Sequence, residues 1–239
     1  MAVLTGAGVS AESGLPTFRD ALTGLWARYR PEDLATPEAF ERDPALVWDW
    51  YRMRREGVRR AEPNRAHVAL ARLEDLVPRL TLITQNVDGL HRRAGSRTVV
   101  ELHGDITRVR CSREGAAVAG WDEPPPGGEP PKCTGCGAYL RPDVVRFGEA
   151  LPEQSLHRAR AAANECDLFL AVGTSNLVEP AASLPWLAAA GGAVVAVVNT
   201  TMEGQRRGAG IHHLAGPAAE VIPMLLELAW PGLGGVGRP

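Results

Sequence analysis

Side chains capable of chemistry follow two short apolar runs of this sequence. Asn86 and Asp88 come directly after the run 80–84, and His103 comes directly after the run 98–102. An amide and a carboxyl group can hold the polar groups of a ligand, and an imidazole of near-neutral pKa can act as a general base. Taken alone, Asn-x-Asp-Gly also fits an ordinary turn, and a single histidine after a strand is more often structural. We assign no chemistry to the other histidines.

A glycine-rich loop follows the first apolar run and is typical of nucleotide-binding sites. The stretch 6–11 fits the pattern G-x-G-x-x-A, in which glycines let the backbone approach a pyrophosphate at a helix N-terminus. The alternative is a simple strand-ending turn. Two departures argue against a dehydrogenase: residues 12–16 break the following helix early, and no acidic residue ends a second strand about 20 residues on. The loop therefore predicts a dinucleotide bound in another manner.

Three of the four cysteines lie in a segment with little apolar periodicity. They are Cys111, Cys133 and Cys136, and the last two form a C-x-x-C pair, a spacing that structural zinc sites favour. The alternative is a module that has lost its metal and kept its cysteines. Cys166 stands beside an apolar run, so we expect it in the core.

Short apolar runs alternate with helical patterns along most of the chain, which is typical of a parallel sheet covered on both faces. We predict an α/β fold in which residues 1–107 and 144–239 form a doubly wound parallel, Rossmann-like sheet. A helical excursion at about 23–62 interrupts this large domain. A small zinc-ribbon-like insert, at 108–143, is too poor in apolar residues to fold on a core of its own.

Composition excludes several classes of protein. The 239 residues are 45% hydrophobic and 23% charged, which excludes a disordered or fibrous chain. A net charge of −2 with no long basic run argues against nucleic acid as a partner. The longest uncharged run, 180–198, is broken by Pro185 and by Gly191-Gly192, so it predicts no membrane span. Without a recognisable signal peptide, we expect a soluble, cytoplasmic protein.

Five stretches, in order along the chain, resemble the sirtuins, which are NAD-dependent protein-lysine deacylases. The resemblance as a whole runs from Thr5 to about Ala218, which is nearly the whole chain, and the longest stretch spans fourteen residues. The stretches are Gly6-Ala7-Gly8-Val9-Ser10-Ala11-Glu12-Ser13-Gly14-Leu15-Pro16-Thr17-Phe18-Arg19, Thr84-Gln85-Asn86-Val87-Asp88-Gly89-Leu90-His91, Glu101-Leu102-His103-Gly104, Gly173-Thr174-Ser175 and Asn199-Thr200-Thr201.

The resemblance implies an NAD-consuming catalytic site. It implies that His103 is the general base, that Asp88 holds the nicotinamide amide and that Asn86 orients the ribose. NAD is the implied co-substrate, and acylated lysines of proteins or peptides are the implied substrates. The implied NAD-binding residues are Gly6, Ala7, Gly8, Ser10, Ala11, Thr17, Phe18, Arg19, Trp26, Gln85, Asn86, Val87, Asp88, Gly173, Thr174, Ser175, Asn199, Thr200, Thr201 and Ala218.

Two classes of function remain as alternatives to a deacylase. One is an NAD glycohydrolase or ADP-ribosyltransferase on the same site, which would need no acyl-lysine. The other is a nucleotide-sensing module without catalysis, against which the joint presence of His103, Asn86 and Asp88 argues.

A second implied region concerns the acylated substrate. Val144, Val145 and Phe147 match the segment along which a sirtuin's substrate peptide lies as an added strand. Arg146 departs from the family, whose members commonly have an apolar residue at this place.

Tyr51 and Arg54 are spaced i,i+3, which places both on one face of a helix. They match the residues that bind the acyl carboxylate in the sirtuin branch that removes succinyl and malonyl groups. The alternative is an amphipathic helix with a solvated basic face. We expect a preference for acidic acyl groups.

The resemblance also bears on the cysteines. The sirtuin insert has two C-x-x-C pairs, but Glu114 stands where this chain would need a fourth cysteine. Its carboxylate could complete a zinc site with Cys111, Cys133 and Cys136. We expect one structural zinc ion.

Overall fold

The elements below come from a computed structural model that describes residues 1–16, 29–175, 177–201 and 210–232. The strands are β1 (Ala2–Thr5), β2 (Thr81–Thr84), β3 (Val99–Glu101), β4 (Gly104–Cys111), β5 (Ala117–Val118), β6 (Leu140–Val144), β7 (Leu168–Val172), β8 (Val194–Asn199) and β9 (Ile211–Ala215). The helices are α1 (Gly8–Ala11), α2 (Pro31–Leu34), α3 (Pro37–Arg42), α4 (Pro44–Arg60), α5 (Arg65–Leu76), α6 (Leu90–Arg93), α7 (Glu153–Glu165), α8 (Leu184–Ala190) and α9 (Ala218–Ala229). Across these ranges, no helix combines the length and the apolar character that crossing a membrane requires.

The large sheet is parallel throughout and has the strand order β3-β2-β1-β7-β8-β9. β1 lies near its centre, between β2 and β7, so the chain changes direction across the sheet at the β1–β7 boundary. In a doubly wound sheet, ligands bind at such a switch point, outside the carboxyl ends of the strands.

Both faces of the sheet are covered, as the alternation of apolar runs and helices predicts. One face buries Ala69 and Leu70 of α5 together with Ile222 of α9. The other face buries Ala159 of α7 and Leu184 of α8. The predicted doubly wound architecture is confirmed, because the two cores lie on opposite sides of strands whose residues alternate between them.

Three helices near the site begin where the sequence predicts. Thr36 and Asp43 are the N-cap residues of α3 and α4, and each accepts a hydrogen bond from the backbone three residues on, with proline at the first helical position. Asn64 caps α5, where His67 completes a reciprocal capping box. Such a cap contributes about 1 kcal/mol to helix stability. These caps fix the described part of the predicted helical excursion.

The small module is a three-stranded antiparallel sheet with the order β5-β4-β6. The module joins the large sheet at the short turn between β3, which ends at Glu101, and β4, which begins at Gly104 and pairs there with Val144 at the end of β6. The strand β9 was not predicted from the sequence.

A buried ion pair anchors the small module to α4. Arg55 is fully buried, and its Nη2 and Nε donate to the two carboxylate oxygens of Glu123 at 2.6 and 3.1 Å. The guanidinium packs against the rings of both Trp48 and Trp121, whose centroids lie 4.8 and 5.2 Å away and whose planes are perpendicular to each other. Nε1 of Trp48 also donates to Glu123, at 2.8 Å. Trp48 of α4 therefore completes the apolar core of the module, together with Val109 and Leu140, as expected for a module poor in apolar residues.

Candidate active site

Three glycines allow the loops after β1 and β7 to pack backbone against backbone. A Cβ on Gly6 would lie 2.8 Å from the carbonyl oxygen of Gly173. A Cβ on Gly8 would lie 2.8 Å from the Cα of Gly173. The amide of Gly8 donates to that same carbonyl oxygen at 2.8 Å, and Gly173 has a φ of +60°. The glycines of the loop after β1 therefore allow its backbone to approach the backbone of the loop after β7.

Ser10, Asn86 and Asp88 form a hydrogen-bonded group at the carboxyl ends of β1 and β2. The Ser10 hydroxyl donates to Oδ2 of Asp88 at 2.7 Å and accepts from Nδ2 of Asn86 at 3.0 Å. Nδ2 of Asn86 also donates to the Gly6 carbonyl at 3.1 Å, and the amide of Leu90 donates to Oδ1 of Asp88 at 2.9 Å. Burial raises the pKa of Asp88, against the lowering effect of these hydrogen bonds. Two predicted site residues, Asn86 and Asp88, are therefore held together through Ser10.

Behind this group lie two buried histidines to which the sequence reasoning assigned no chemistry. The rings of His67 and His91 pack against each other in a tilted arrangement, with centroids 4.8 Å apart and planes at 53°. Nδ1 of His67 accepts from the Asn64 amide, so its Nε2 carries the proton that faces the Ser10 hydroxyl at 3.4 Å. Burial lowers the pKa of His67 to about 4 and that of His91 to about 3. Both rings are neutral at physiological pH. His67 contacts Ser10 of the site, and His91 packs against His67.

His103 occupies the turn between β3 and β4 with one ring nitrogen fixed. Its Nδ1 lies 2.8 Å from the carbonyl oxygen of Gln85, which can only accept, so Nδ1 carries the proton and Nε2 keeps its lone pair. Burial lowers the pKa of His103, although the hydrogen bond to Gln85 opposes this effect. Gln85 is held in turn by the Thr174 hydroxyl at 2.9 Å. The geometry leaves a neutral imidazole with one open basic nitrogen.

Residues after β7 and β8 extend this edge of the sheet. Thr174 is buried, and its carbonyl oxygen accepts from Nδ2 of Asn199 at 3.1 Å. Ser175 and Thr201 are exposed, and Ala218 is buried at the start of α9. The structure thus brings these predicted cofactor residues to the edge where Asn86 and Asp88 lie.

Glu12 is a further residue at this edge that the sequence reasoning missed. Its Oε1 accepts from the backbone amide of Ala219 at 3.0 Å and so ties the glycine-rich loop to α9. Four of the predicted nucleotide-binding residues, Thr17, Phe18, Arg19 and Trp26, lie outside the described residues.

The segment 144–147 runs beside His103. The amide of Val145 donates to the His103 carbonyl at 2.9 Å, and the amide of Phe147 donates to the Ala35 carbonyl at 2.8 Å. The Phe147 side chain is 43% exposed although it is large and apolar. The exposed Phe147 ring, two residues from the backbone contact with His103, provides a surface on which an apolar chain can pack.

Tyr51 and Arg54 share one face of α4, as their spacing predicts. The Arg54 guanidinium lies 5.8 Å from the centroid of the Tyr51 ring and 4.8 Å from that of Trp50. Tyr51 is 2% exposed, and burial raises the pKa of its hydroxyl. Burial also lowers the pKa of Arg54, because the charged guanidinium loses part of its hydration. A carboxylate bound here would offset the hydration that the Arg54 guanidinium loses on burial.

The three predicted cysteine ligands come together in the small module. The Sγ atoms of Cys111, Cys133 and Cys136 all lie within 4.8 Å of one another, and those of Cys111 and Cys136 are 3.4 Å apart. The backbone amide of Glu114 donates to Sγ of Cys111 and lowers its pKa, which favours the thiolate that zinc requires. This donor set fits one zinc ion. The ligand group found among the described residues does not include the Glu114 carboxylate. Cys166 lies in the core, as expected.

Comparison with known proteins gives the class to which this site belongs. The model of the Sir2 family matches residues 6–180, which is most of the chain. The chain belongs to the Sir2 family.

Two relatives and two solved structures illustrate this membership. The chain is 54% identical to an NAD-dependent protein deacylase 1 of Pseudomonas aeruginosa, over 97% of this chain and 95% of the relative. It is 53% identical to an NAD-dependent protein deacylase of Methylococcus capsulatus, over 95% and 91%. A Sir2 homologue in complex with NAD superposes with a TM-score of 0.89 at 46% identity, covering 97% of this chain and 90% of the other. A mutant Sir2 homologue in complex with 2′-O-acetyl-ADP-ribose superposes with a TM-score of 0.87 at 44% identity, covering 99% of this chain and 94% of the other.

Proposed function

We propose that this protein removes succinyl and malonyl groups, and also acetyl groups, from protein lysines with NAD as co-substrate. Nicotinamide and 2′-O-acyl-ADP-ribose are the products. The observation that carries the proposal is the neutral His103, with its open Nε2, on the same sheet edge as the Ser10–Asn86–Asp88 group. The relatives named as NAD-dependent protein deacylases support it, as do the Sir2 complexes with NAD and with 2′-O-acetyl-ADP-ribose.

The first chemical step separates nicotinamide from the ribose. The departing ring leaves positive charge on the ribose, so polar groups must orient both fragments as the bond breaks. Asp88 would accept a hydrogen bond from the nicotinamide amide, since its carboxylate has lone pairs beyond those used by Ser10 and Leu90. The side-chain oxygen of Asn86 can accept from a ribose hydroxyl, while its nitrogen is committed to Ser10 and Gly6.

Acyl transfer follows on the ribose. The acyl-lysine carbonyl oxygen attacks C1′ as the bond to nicotinamide breaks. Nε2 of His103 then accepts a proton from the ribose hydroxyls, so that the 2′-oxygen attacks the acyl carbon. Water completes the release of the lysine amine and leaves the acyl group on the ribose. A histidine whose pKa is lowered by burial is in the required neutral state at pH 7.

The acylated peptide is proposed to lie along the segment that holds Val144, Val145 and Phe147 as an added strand. A Sir2 complex with a p53 peptide and NAD, 30% identical with a TM-score of 0.79, supports a peptide substrate. The acyl chain would pass the exposed Phe147 ring toward α4, where Tyr51 and Arg54 would bind its distal carboxylate. Cys111, Cys133 and Cys136 would hold a zinc ion whose part is structural, since it would fix the module that packs on α4.

One assay tests the deacylase itself. The protein is incubated with NAD and a succinyl-lysine peptide, and 2′-O-succinyl-ADP-ribose is measured by mass spectrometry. The product should form with wild type and be lost in His103→Ala, whereas His157→Ala, which removes an exposed histidine on α7, should retain turnover. NAD consumption that proceeds equally without peptide would reject the deacylase in favour of a glycohydrolase.

A second assay tests the acyl preference. Arg54→Met should lower kcat/KM for a succinyl peptide ten- to a hundredfold relative to the acetyl peptide of the same sequence. A charge-assisted hydrogen bond of this kind contributes ~1.5–3 kcal/mol. Equal losses for both peptides would mean that Arg54 is structural and that the acidic-acyl preference is wrong.

A further inference from the structure

Arg146 is a nine-tenths buried cation with one hydrogen-bond donor left over. Its side chain is 10% exposed, and Nη2 donates to Oε1 of Glu149 at 2.9 Å. Nε is buried and has no acceptor among the described residues. The guanidinium lies 5.6 Å from the ring centroid of Phe40, in the apolar cluster that also contains Tyr51. A buried N–H group without an acceptor is costly, so its presence points to a partner that arrives from outside.

The surroundings of Arg146 carry more positive than negative charge. Arg141, itself 9% exposed, donates from Nη2 to the same Oε1 of Glu149 at 3.1 Å. Two guanidiniums thus share one carboxylate oxygen. The positive charges of Arg54, Arg146 and Arg141 lower the pKa of the Tyr51 hydroxyl, and the negative charge of Glu149 raises it. Three cations facing one anion in a buried region favour the binding of a further anion.

The position of Arg146 connects this charge to the substrate. It lies between Val145, whose amide donates to the His103 carbonyl, and Phe147, whose amide donates to the carbonyl of Ala35, just before α3. The segment that holds it is the one along which the acylated peptide is proposed to lie. An acetyl group offers no acceptor beyond the carbonyl that reacts, whereas a dicarboxylic acyl group brings a distal carboxylate.

We propose that Arg146 is a third residue, beside Tyr51 and Arg54, that selects acidic acyl groups, with its free Nε–H and its charge directed at the acyl carboxylate. This inference rests on the proposed function. It assigns a specific task to the one position of the segment 144–147 where the chain departs from the apolar residue common in its family.

The test compares kcat/KM for succinyl-lysine and acetyl-lysine peptides of identical sequence. Arg146→Met removes both the charge and the donor, and it should lower the succinyl-to-acetyl ratio about tenfold, mostly through KM. Arg146→Lys keeps a charge but loses Nε–H, and it should lower the ratio roughly threefold. Arg160→Met removes an exposed arginine on α7 and should leave the ratio at the wild-type value.

The outcomes separate this inference from the function beneath it. A ratio unchanged in both Arg146 variants, with a steep fall in Arg54→Met, overturns the role of Arg146 and leaves the acidic-acyl preference intact. Equal losses for both peptides mean that Arg146 only holds Glu149, which also overturns the inference. If the succinyl-to-acetyl ratio does not fall in Arg54→Met, the acidic-acyl preference is wrong, and the inference about Arg146 is wrong with it. If Arg146→Met does not fold, as judged by thermal melting, the Arg146→Lys ratio decides alone.

Discussion

Glu123 is expected to be one of the acidic residues whose removal lowers the stability of the fold most, although it is not one of the candidate catalytic residues. Its carboxylate accepts two hydrogen bonds from the fully buried Arg55 and one from Nε1 of Trp48. Glu123→Ala would leave the Arg55 charge against two tryptophan rings without a counter-ion. A guanidinium cannot lose its proton to escape this cost, so the folded state must carry it.

The magnitude follows from the burial of the two partners. Removing one partner of a buried ion pair costs about 3–5 kcal/mol. The Glu123 side chain is 23% exposed against 0% for Arg55, so water can enter part of the vacated space. We therefore expect the lower end, about 3 kcal/mol, which in a chain of this size lowers Tm by roughly 6–12 °C.

Urea and thermal unfolding, followed by circular dichroism, measure this loss directly. Glu129→Ala is the matched control, because Glu129 and Lys132 are 3.9 Å apart with side chains 68% and 61% exposed. Such a surface pair should contribute only about 0–1 kcal/mol. The double variant Arg55→Met with Glu123→Ala should be more stable than Glu123→Ala alone, since no buried charge remains. Similar losses in Glu123→Ala and Glu129→Ala would refute the reasoning.

Further expectations concern pH, metal and the glycine-rich loop. Because burial lowers the pKa of His103, the acid limb of the kcat/KM profile should have its midpoint below the ordinary histidine value of about 6.5; a midpoint above 6.5 would contradict this. Metal analysis should find about one zinc per chain, reduced in Cys136→Ser, and a metal-free wild type would reject the site. Gly6→Ala should lower the free energy of unfolding by ~1–3 kcal/mol, because its Cβ would lie 2.8 Å from the Gly173 carbonyl oxygen. Gly57→Ala, inside α4 with its nearest contact at 3.9 Å, should instead stabilise by ~0.5–1 kcal/mol, and the opposite order would be evidence against the close packing of the loops.

Local signals in the sequence were sufficient for much of the fold. Proline at the first helical position located the starts of α3 and α4, and short apolar runs located five of the six strands in the large sheet. The sixth, β9, escaped because its sequence Ile-His-His-Leu-Ala is not an apolar run and lies half-exposed at the sheet edge. Short-range pattern therefore predicted the elements that are buried on both faces, and it failed where burial is partial.

The candidate site was less accessible to sequence reasoning. Asn86, Asp88 and His103 were identified because they follow strands within stretches that resemble the sirtuin motifs, but the residues that support them come from distant parts of the chain. His67 faces Ser10 from 57 residues away, and Glu12 bonds the backbone of Ala219 from 207 residues away. No local pattern carries such information. Without coordinates, only a search for buried polar residues at helix starts, such as the Asn64-x-x-His67 box, could have found His67.

The central place of β1 in the sheet has a consequence for how the chain folds during synthesis. β1 emerges before either of its neighbours, and its partner β7 follows roughly 170 residues later, which is about 10–30 s of translation. Until then one edge of β1 has unpaired backbone N–H and C=O groups, and the loop carrying Gly6 and Gly8 lacks the loop after β7 against which it packs. The nucleotide-binding edge is therefore assembled late, through contacts of very long sequence separation, which slow folding. A ribosome-bound fragment that ends before β7 should already contain α4 and α5 and yet be unable to hold NAD.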